Sequence, residues 1–327
     1  MTGAVAGVDI GGTKVSAARL SDGRLSEPQV RETAIGDVDA LLEEIVERVG
    51  QVRGDGIEAV GIGIPGPVEF ETGRLRSAPN LPFGKMPVRK VLSERLGLPV
   101  YVDNDATVAA LAEASEGDRI AVRNLVMLTI GTGVGGGLVL RGRVYRGATG
   151  AAGELGQTLI GASLVGGAPE PGDFPRPGSL EALAAGTALD HLTAEFAREQ
   201  PESPIGRRAA EQGHVEGPDA VELAKQGDEG ARGLISLLGE RLGVGIANAI
   251  NTFDPDEVVI GGGVSSAGDL LLEPARETAR RFVLTGVGTK TKIRLARHGP
   301  DAGVLGAALL AHLEYQDERG DAAAEGE

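Results

Sequence analysis

The stretch Pro99-Val100-Tyr101-Val102-Asp103-Asn104-Asp105-Ala106-Thr107 constrains this chain more than any other. An apolar run rich in β-branched residues stops at Asn-Asp and passes, with no loop residues between, into an alanine-rich helical pattern. That junction puts Asn104 and Asp105 at the carboxyl end of a buried strand and in the first turn of a helix. Ligands of open α/β sheets sit at such places. Two readings of Asp105 are open. It caps the helix, where an acid is favoured and complements the dipole, or its carboxylate is a catalytic base. Taken alone, the stretch favours the cap.

A chain of 327 residues is long for one core, so two domains are expected. Aromatic residues make up only 3%, which leaves an aliphatic core. The net charge of −15 argues against general nucleic-acid binding. It also means that a polyanion such as ATP needs local donors and a metal against an unfavourable overall field. No run approaches the roughly 20 apolar residues of a membrane span, so no membrane partner is expected. The opening residues lead quickly into a strand, so no signal peptide is expected. A cytoplasmic protein is the expectation, and the absence of cysteine removes disulfides and thiolate metal sites.

In chain order, residues 4–9 read as a strand, 10–14 as a tight turn, and a second strand runs to about Leu20. Asp22-Gly23 is a hairpin signal. Asp37 caps a helix with Val38, Leu41, Leu42, Ile45 and Val49 on one face, stopped by Gly50. A strand at 58–64, a helix near 87–96 and the strand before Asn104 follow, which makes a mixed sheet with helices on its faces. Near residue 118 the pattern restarts. A strand over 124–130, a glycine turn, a second strand and the hairpin Arg141-Gly142-Arg143 echo the opening, which predicts two similar lobes. The expected division is 1–117 plus about 301–315 against 118–300, with 316–327 a disordered acidic tail. Prolines break up 157–178, and Ser179 caps a helix over 180–192. Residues 199–217 read as a mobile excursion, and a long helix runs from Asp228 to about Phe253 with Leu234, Leu237, Leu238, Leu242, Ile246 and Ile250 on one side. The strand Val258-Val259-Ile260 and a last helix over 303–313 complete the chain.

Three glycine loops carry the chemistry. Asp9-Ile10-Gly11-Gly12-Thr13-Lys14 lies between two strands, so it is neither a Walker loop nor a dinucleotide fingerprint. Its glycines let backbone N–H groups approach phosphate oxygens, Thr13 and Lys14 add donors, and Asp9 can reach Mg²⁺ directly or through water. Gly131-Thr132-Gly133 allows the same approach, and Gly261-Gly262-Gly263 could pack beneath an adenine. A plain glycine turn explains each loop taken singly. Together with Asn104-Asp105 they point to phosphoryl transfer. The histidines, His191, His214, His298 and His312, lack metal-ligand spacing and read as structural or surface residues.

These motifs, with Ala78-Pro79-Asn80-Leu81, Ala152-Gly153-Glu154-Leu155-Gly156 and Ile260-Gly261-Gly262-Gly263-Val264, occur in an order that resembles the ROK family of sugar kinases, its bacterial glucokinases most. The resemblance covers about residues 4–313. It implies an α/β, actin-like ATPase fold of two ribonuclease-H-like lobes with a ligand cleft between them. It implies a hexose and ATP as substrates, Mg²⁺, and a homodimer or homotetramer. It also implies Asp105 as the base for the sugar 6-hydroxyl, with Asn80, Asn104, Asp105, Glu154, Gln157 and Glu181 at the sugar. Glucose is the expected hexose; mannose, fructose or an N-acetyl sugar is the alternative, and a non-catalytic sugar-binding regulator a further one. The sequence departs from the family at its zinc loop. Gln157 stands at the usual histidine position and the cysteines are gone, although Gly178-Ser179-Leu180-Glu181 is retained. The structural zinc is therefore expected to be lost, with prolines in 169–177 ordering the loop by lowering chain entropy. Elemental analysis of the purified protein is expected to find well below one equivalent of zinc; a full equivalent would refute this.

Overall fold

A computed structural model describes residues 3–324 apart from 13, 33–36, 55, 77–82, 84, 85, 164 and 169. The chain forms two units, one of Met1–Arg123, Gly137–Gly153 and His298–Glu327, the other of Asn124–Gly136 and Glu154–Arg297. The sequence reading places 137–153 with the second unit. In the structure Val144 packs with Leu111 and Leu309 of the first, and a Cβ on Gly137 would meet Ala106 and Ala110.

The first unit runs β1 (Val5–Ile10), β2 (Lys14–Ser21), β3 (Arg24–Leu25), β4 (Gln29–Glu32), α1 (Val38–Val52), β5 (Val60–Ile64), β6 (Val68–Glu69), β7 (Arg74–Leu75), α2 (Val88–Leu96), β8 (Val100–Asn104) and α3 (Asp105–Ala114). A short ribbon, β9 (Ser115–Glu116) and β10 (Arg119–Ile120), follows α3. The main sheet has the order β3-β2-β1-β5-β8, with β4 also on β2. β1 is antiparallel to β2 and parallel to β5, which is parallel to β8. Asp22 and Gly23, both at positive φ, make the hairpin turn that the Asp-Gly pair predicts.

Alternation along the strands separates two aliphatic clusters. Ala6, Val8, Ile10, Val100 and Val102 pack with Leu41, Leu42 and Ile45 of α1 on one face. Val5 and Tyr101 pack on the other, against Val108 and Leu111 of α3 and Leu309 and Leu310 of α10 (Ala302–Ala324). Helix α10 lies so close that a Cβ on Gly61 would sit 1.8 Å from the Ala307 carbonyl, and one on Gly306 1.7 Å from the Val108 carbonyl. Only residues without a Cβ permit that contact.

Two expectations are corrected here. α1 continues past Gly50 to Val52, because Val49 and Val52 both reach the core. The acidic tail is not disordered over its described part. α10 extends to Ala324, and Tyr101 Oη donates to Glu318 at 2.7 Å while Arg89 and Arg143 pair with Glu318 and Asp317. Cross-chain partners of this kind leave no periodic signal.

In the second unit β11 (Leu125–Ile130), β14 (Glu257–Gly261) and β15 (Lys292–Leu295) are mutually parallel in the order β11-β14-β15. β12 (Val134–Leu140) begins in this unit and runs into the first, where β13 (Arg143–Val144) pairs with it. The expected helix over 180–192 is broken at Ala185 into α4 (Leu180–Ala184) and α5 (Gly186–Glu199), with Ser179 capping α4 as expected. The expected excursion at 199–217 contains α6 (Pro204–Gln212), capped by Ser203, and leads into α7 (Gly217–Gln226). α8 (Glu229–Phe253) has the length and hydropathy of a membrane span, but 61% of its apolar window is buried. Its Leu234, Leu238, Leu242 and Ile246 are core, whereas Leu237 is exposed, and α9 (Asp269–Phe282) packs against Gly239 and Gly243.

Gly306→Ala is expected to destabilise the protein by at least about 1–3 kcal/mol, the usual penalty of overpacking. A melting temperature unchanged from the parent would show that α10 can shift without cost.

Candidate active site

In the first unit the carboxyl ends of three parallel strands lie side by side. Register places Asp9 opposite Gly63, and Gly63 opposite Asp103. A methyl group on Gly63 would stand 3.4 Å from Asp9 Oδ1 and 3.8 Å from Asp105 Cα, so the Asp9 carboxylate and the Asp105 backbone flank the end of β5. The head of α10 closes the other side, where a Cβ on Gly303 would lie 2.5 Å from Asp9 Oδ2.

The structure decides which residue caps the helix. The cap of α3 is Asn104, whose Oδ1 accepts from the Thr107 N–H at 3.1 Å. Asp105 is the first helical residue, and its Oδ1 accepts from the Ala106 N–H at 2.8 Å and from Asn104 Nδ2 at 2.9 Å. Asn104 Nδ2 also donates to the Gly66 carbonyl at 3.2 Å, which fixes the orientation of the amide. Asp105 is thus released from capping and held by donors on one oxygen.

The helix terminus alone would lower the Asp105 pKa. Its net shift is the other way: burial raises it, and the hydrogen bonds from Ala106, Asn104 and its own backbone only partly offset that. Asp9 is raised to about 7, first by burial and then by repulsion from Asp105. A raised carboxyl pKa makes a stronger base of Asp105 than a helix end would leave.

In the second unit the parallel register Thr129 to Gly261 brings the ends of β11 and β14 together, and with them the loops at 131–133 and 261–263. Gly262, at φ 84°, abuts the Ile130 carbonyl, where a Cβ would lie 2.4 Å away. The Gly131 N–H donates to Gly133 O at 2.9 Å, and the Gly186 N–H at the head of α5 donates to Gly131 O at 2.7 Å. Glu181, expected at the sugar, also braces this loop. Its Oε2 accepts from the Val134 N–H at 2.8 Å, and a Cβ on Gly133 would strike that oxygen. This brace is a role that the sequence does not reveal, because 47 residues separate its partners.

Glu154 is exposed and precedes the single turn Leu155–Gln157, whose Gln157 is half-buried. The loop beyond is closed at its base: the Ile160 and Gly161 N–H groups donate to Gly178 O, and the Leu180 N–H to Thr158 O. Backbone pairing of its ends thus adds to any stiffening by prolines. Gly11 bonds Lys14 O at 2.8 Å across the first glycine turn, and Gly12 and Lys14 are exposed there. Thr13 and Asn80 lie outside the described residues. Among those described, no group of three or more His, Cys, Asp or Glu could hold a metal ion.

Because the native pKa of Asp9 lies above its ordinary 3.8, the folded protein binds the extra proton. Stability without ligands should therefore fall as pH rises from about 4 to about 7. Asp9→Asn removes this loss, so the variant should melt above the parent at pH 8 and approach it near pH 4. An equal difference at both pH values would contradict the shift.

Known proteins resemble this chain over most of its length. The ROK family model matches residues 5–314. A glucokinase of Halalkalibacterium halodurans is 36% identical over 80% of this chain and 78% of its own length. An N-acetyl-D-glucosamine kinase of Escherichia coli O6:H1 is 35% identical over 94% of this chain and 98% of its own. The crystal structure of a Streptomyces griseus ROK family glucokinase, in complex with glucose and AMPPNP, aligns with a TM-score of 0.76 and 32% identity, covering 95% of this chain and 100% of that one.

Proposed function

This chain belongs to the ROK family and has its actin-like ATPase fold, and on that footing we propose that it is a glucokinase, transferring the γ-phosphoryl group of ATP to the 6-hydroxyl of glucose. Its relatives support a sugar kinase in general. The observation that carries the mechanism is Asp105: a half-buried carboxylate of raised pKa, oriented by the Asn104 amide at the end of a parallel strand. Its unprotonated form takes the hydroxyl proton as the sugar oxygen bonds to the γ-phosphorus and the bond to ADP breaks. Phosphoryl transfer asks the protein mainly for positioning and charge neutralisation. Asn80, Asn104, Glu154, Gln157 and Glu181 are the proposed sugar contacts, since amides and carboxylates offer a polyol both donors and acceptors. The loops at Gly11-Gly12-Thr13-Lys14, Gly131-Thr132-Gly133 and Gly261-Gly262-Gly263 are the proposed nucleotide contacts.

The residues fit Mg²⁺. Asp9 and Asp105 are hard oxygen donors close enough to repel one another, and Mg²⁺ commonly uses one or two carboxylates with phosphates and water. Asp9 would hold it, and when bound it supplies charge neutralisation at the phosphates.

A second reading, an N-acetylhexosamine kinase, is favoured by the E. coli relative. A coupled assay across glucose, mannose, fructose and N-acetyl sugars, with ATP and with polyphosphate, separates the two. Glucose with ATP is expected to give the highest kcat/KM, and Asp105→Asn to lower turnover by about three to four decades, the upper end of general-base effects. Substantial turnover by that variant would remove Asp105 from the role of base. A parent that binds sugar without turnover would instead make the chain a regulator.

A further inference from the structure

Asp103 is a buried acid that the mechanism above does not use. It is 1% exposed and sits at the end of β8, two positions before the proposed base. Its Oδ2 receives Arg146 Nε at 2.7 Å, and its Oδ1 receives the Asn104 N–H at 2.9 Å. The other end of the guanidinium reaches Glu314 of α10, Nη2 to Oε1 at 2.7 Å, and the group lies over the Phe70 ring at 3.6 Å from its centroid. Arg146 therefore contacts residues before β8, on β8 and on α10.

Stability gives little reason for this arrangement. Burial raises the pKa of Asp103, with Arg146 pulling it back, and well-packed apolar residues often replace buried ion pairs without loss. The geometry gives a better one. We propose that Arg146 is a positioning residue for the phosphoryl-transfer step, acting through Asp103 on the Asn104-Asp105 junction. This inference rests on Asp105 being the base.

The linkage is serial. Arg146 occupies Oδ2 and so leaves Oδ1 aimed at the Asn104 N–H. That bond sets the peptide from which Asn104 both caps α3 and turns its amide toward Asp105 Oδ1. Asn104 must stay extended, at φ −66° and ψ 146°, while the next residue is already helical. A carboxylate gripped on one oxygen pins that change of conformation, whereas an ungripped side chain at 103 can rotate away. A lysine can keep the charge but not the two-ended grip and the stacking.

The test measures kcat and KM for glucose and MgATP, with melting temperatures, in the parent, Arg146→Met, Arg146→Lys, Asp105→Asn and the double variant Asp103→Asn/Arg146→Met. Arg146→Met is expected to lower kcat by about 10- to 100-fold, the scale of a small misplacement at a reacting centre. KM values should stay within about threefold, and Arg146→Lys, which keeps the charge without the two-ended grip, should recover only a small part of kcat. The double variant removes the unpaired buried charge, so its melting temperature should return toward the parent while kcat stays low. Recovery of kcat together with melting temperature would reduce the pair to a folding role and overturn the proposal. So would a folded Arg146→Met with kcat within twofold of the parent while Asp105→Asn is inactive. An active Asp105→Asn, or a parent inert with every hexose, would overturn the function and this inference with it.

Discussion

The structure of the first unit turns on one junction: a strand that becomes a helix within a single peptide. Asn104 satisfies the Thr107 N–H at the helix start, which frees Asp105 from capping and leaves its carboxylate to be aimed. The parallel order β1-β5-β8 then brings Asp9 to the same end of the sheet. Two acids share a small space there, and burial together with mutual repulsion raises Asp9 to about 7. A phosphoryl-transfer site gains from such a pair, because one carboxylate can accept a proton while the other attracts a cation.

Close backbone packing surrounds the junction. Helices α3 and α10 pack on one face of the sheet through positions that exclude even a methyl group, among them Gly61 and Gly306. The second unit uses the same device for its loops, with Gly262 against Ile130 and Gly133 against Glu181. Glu181 shows how one residue can serve two purposes. One of its oxygens closes the turn after β11, so a proposed sugar contact is tied mechanically to a proposed phosphate loop.

Local signals were legible wherever neighbours in sequence decide the outcome. The Asp22-Gly23 hairpin, the Asp37 cap, the Ser179 cap and the strand before Asn104 stand where patterning puts them. Legibility failed where distant partners decide. The helix over 180–192 breaks at Ala185, where the next N–H, that of Gly186, bonds to Gly131 O. The tail is helical because Tyr101 and Arg89 meet Glu318. Asp105 has a raised rather than lowered pKa because burial outweighs the hydrogen bonds from Ala106, Asn104 and its own backbone, and burial cannot be read from a local motif.

The sequence by itself determined the family, the strand-to-helix junction and the identities of Asp9, Asn104, Asp105 and the glycine loops, because these are written in contiguous residues and their spacing. Only the tertiary structure decided which residue caps and which stays available, that Asp9 and Asp105 repel one another, and that Arg146 grips Asp103. The last two depend on atoms brought together from far along the chain, and the cap, though made by near neighbours, has its amide held by the distant Gly66 carbonyl. The Asn104-Asp105 pair is therefore local in sequence, while its orientation and raised pKa belong to the fold.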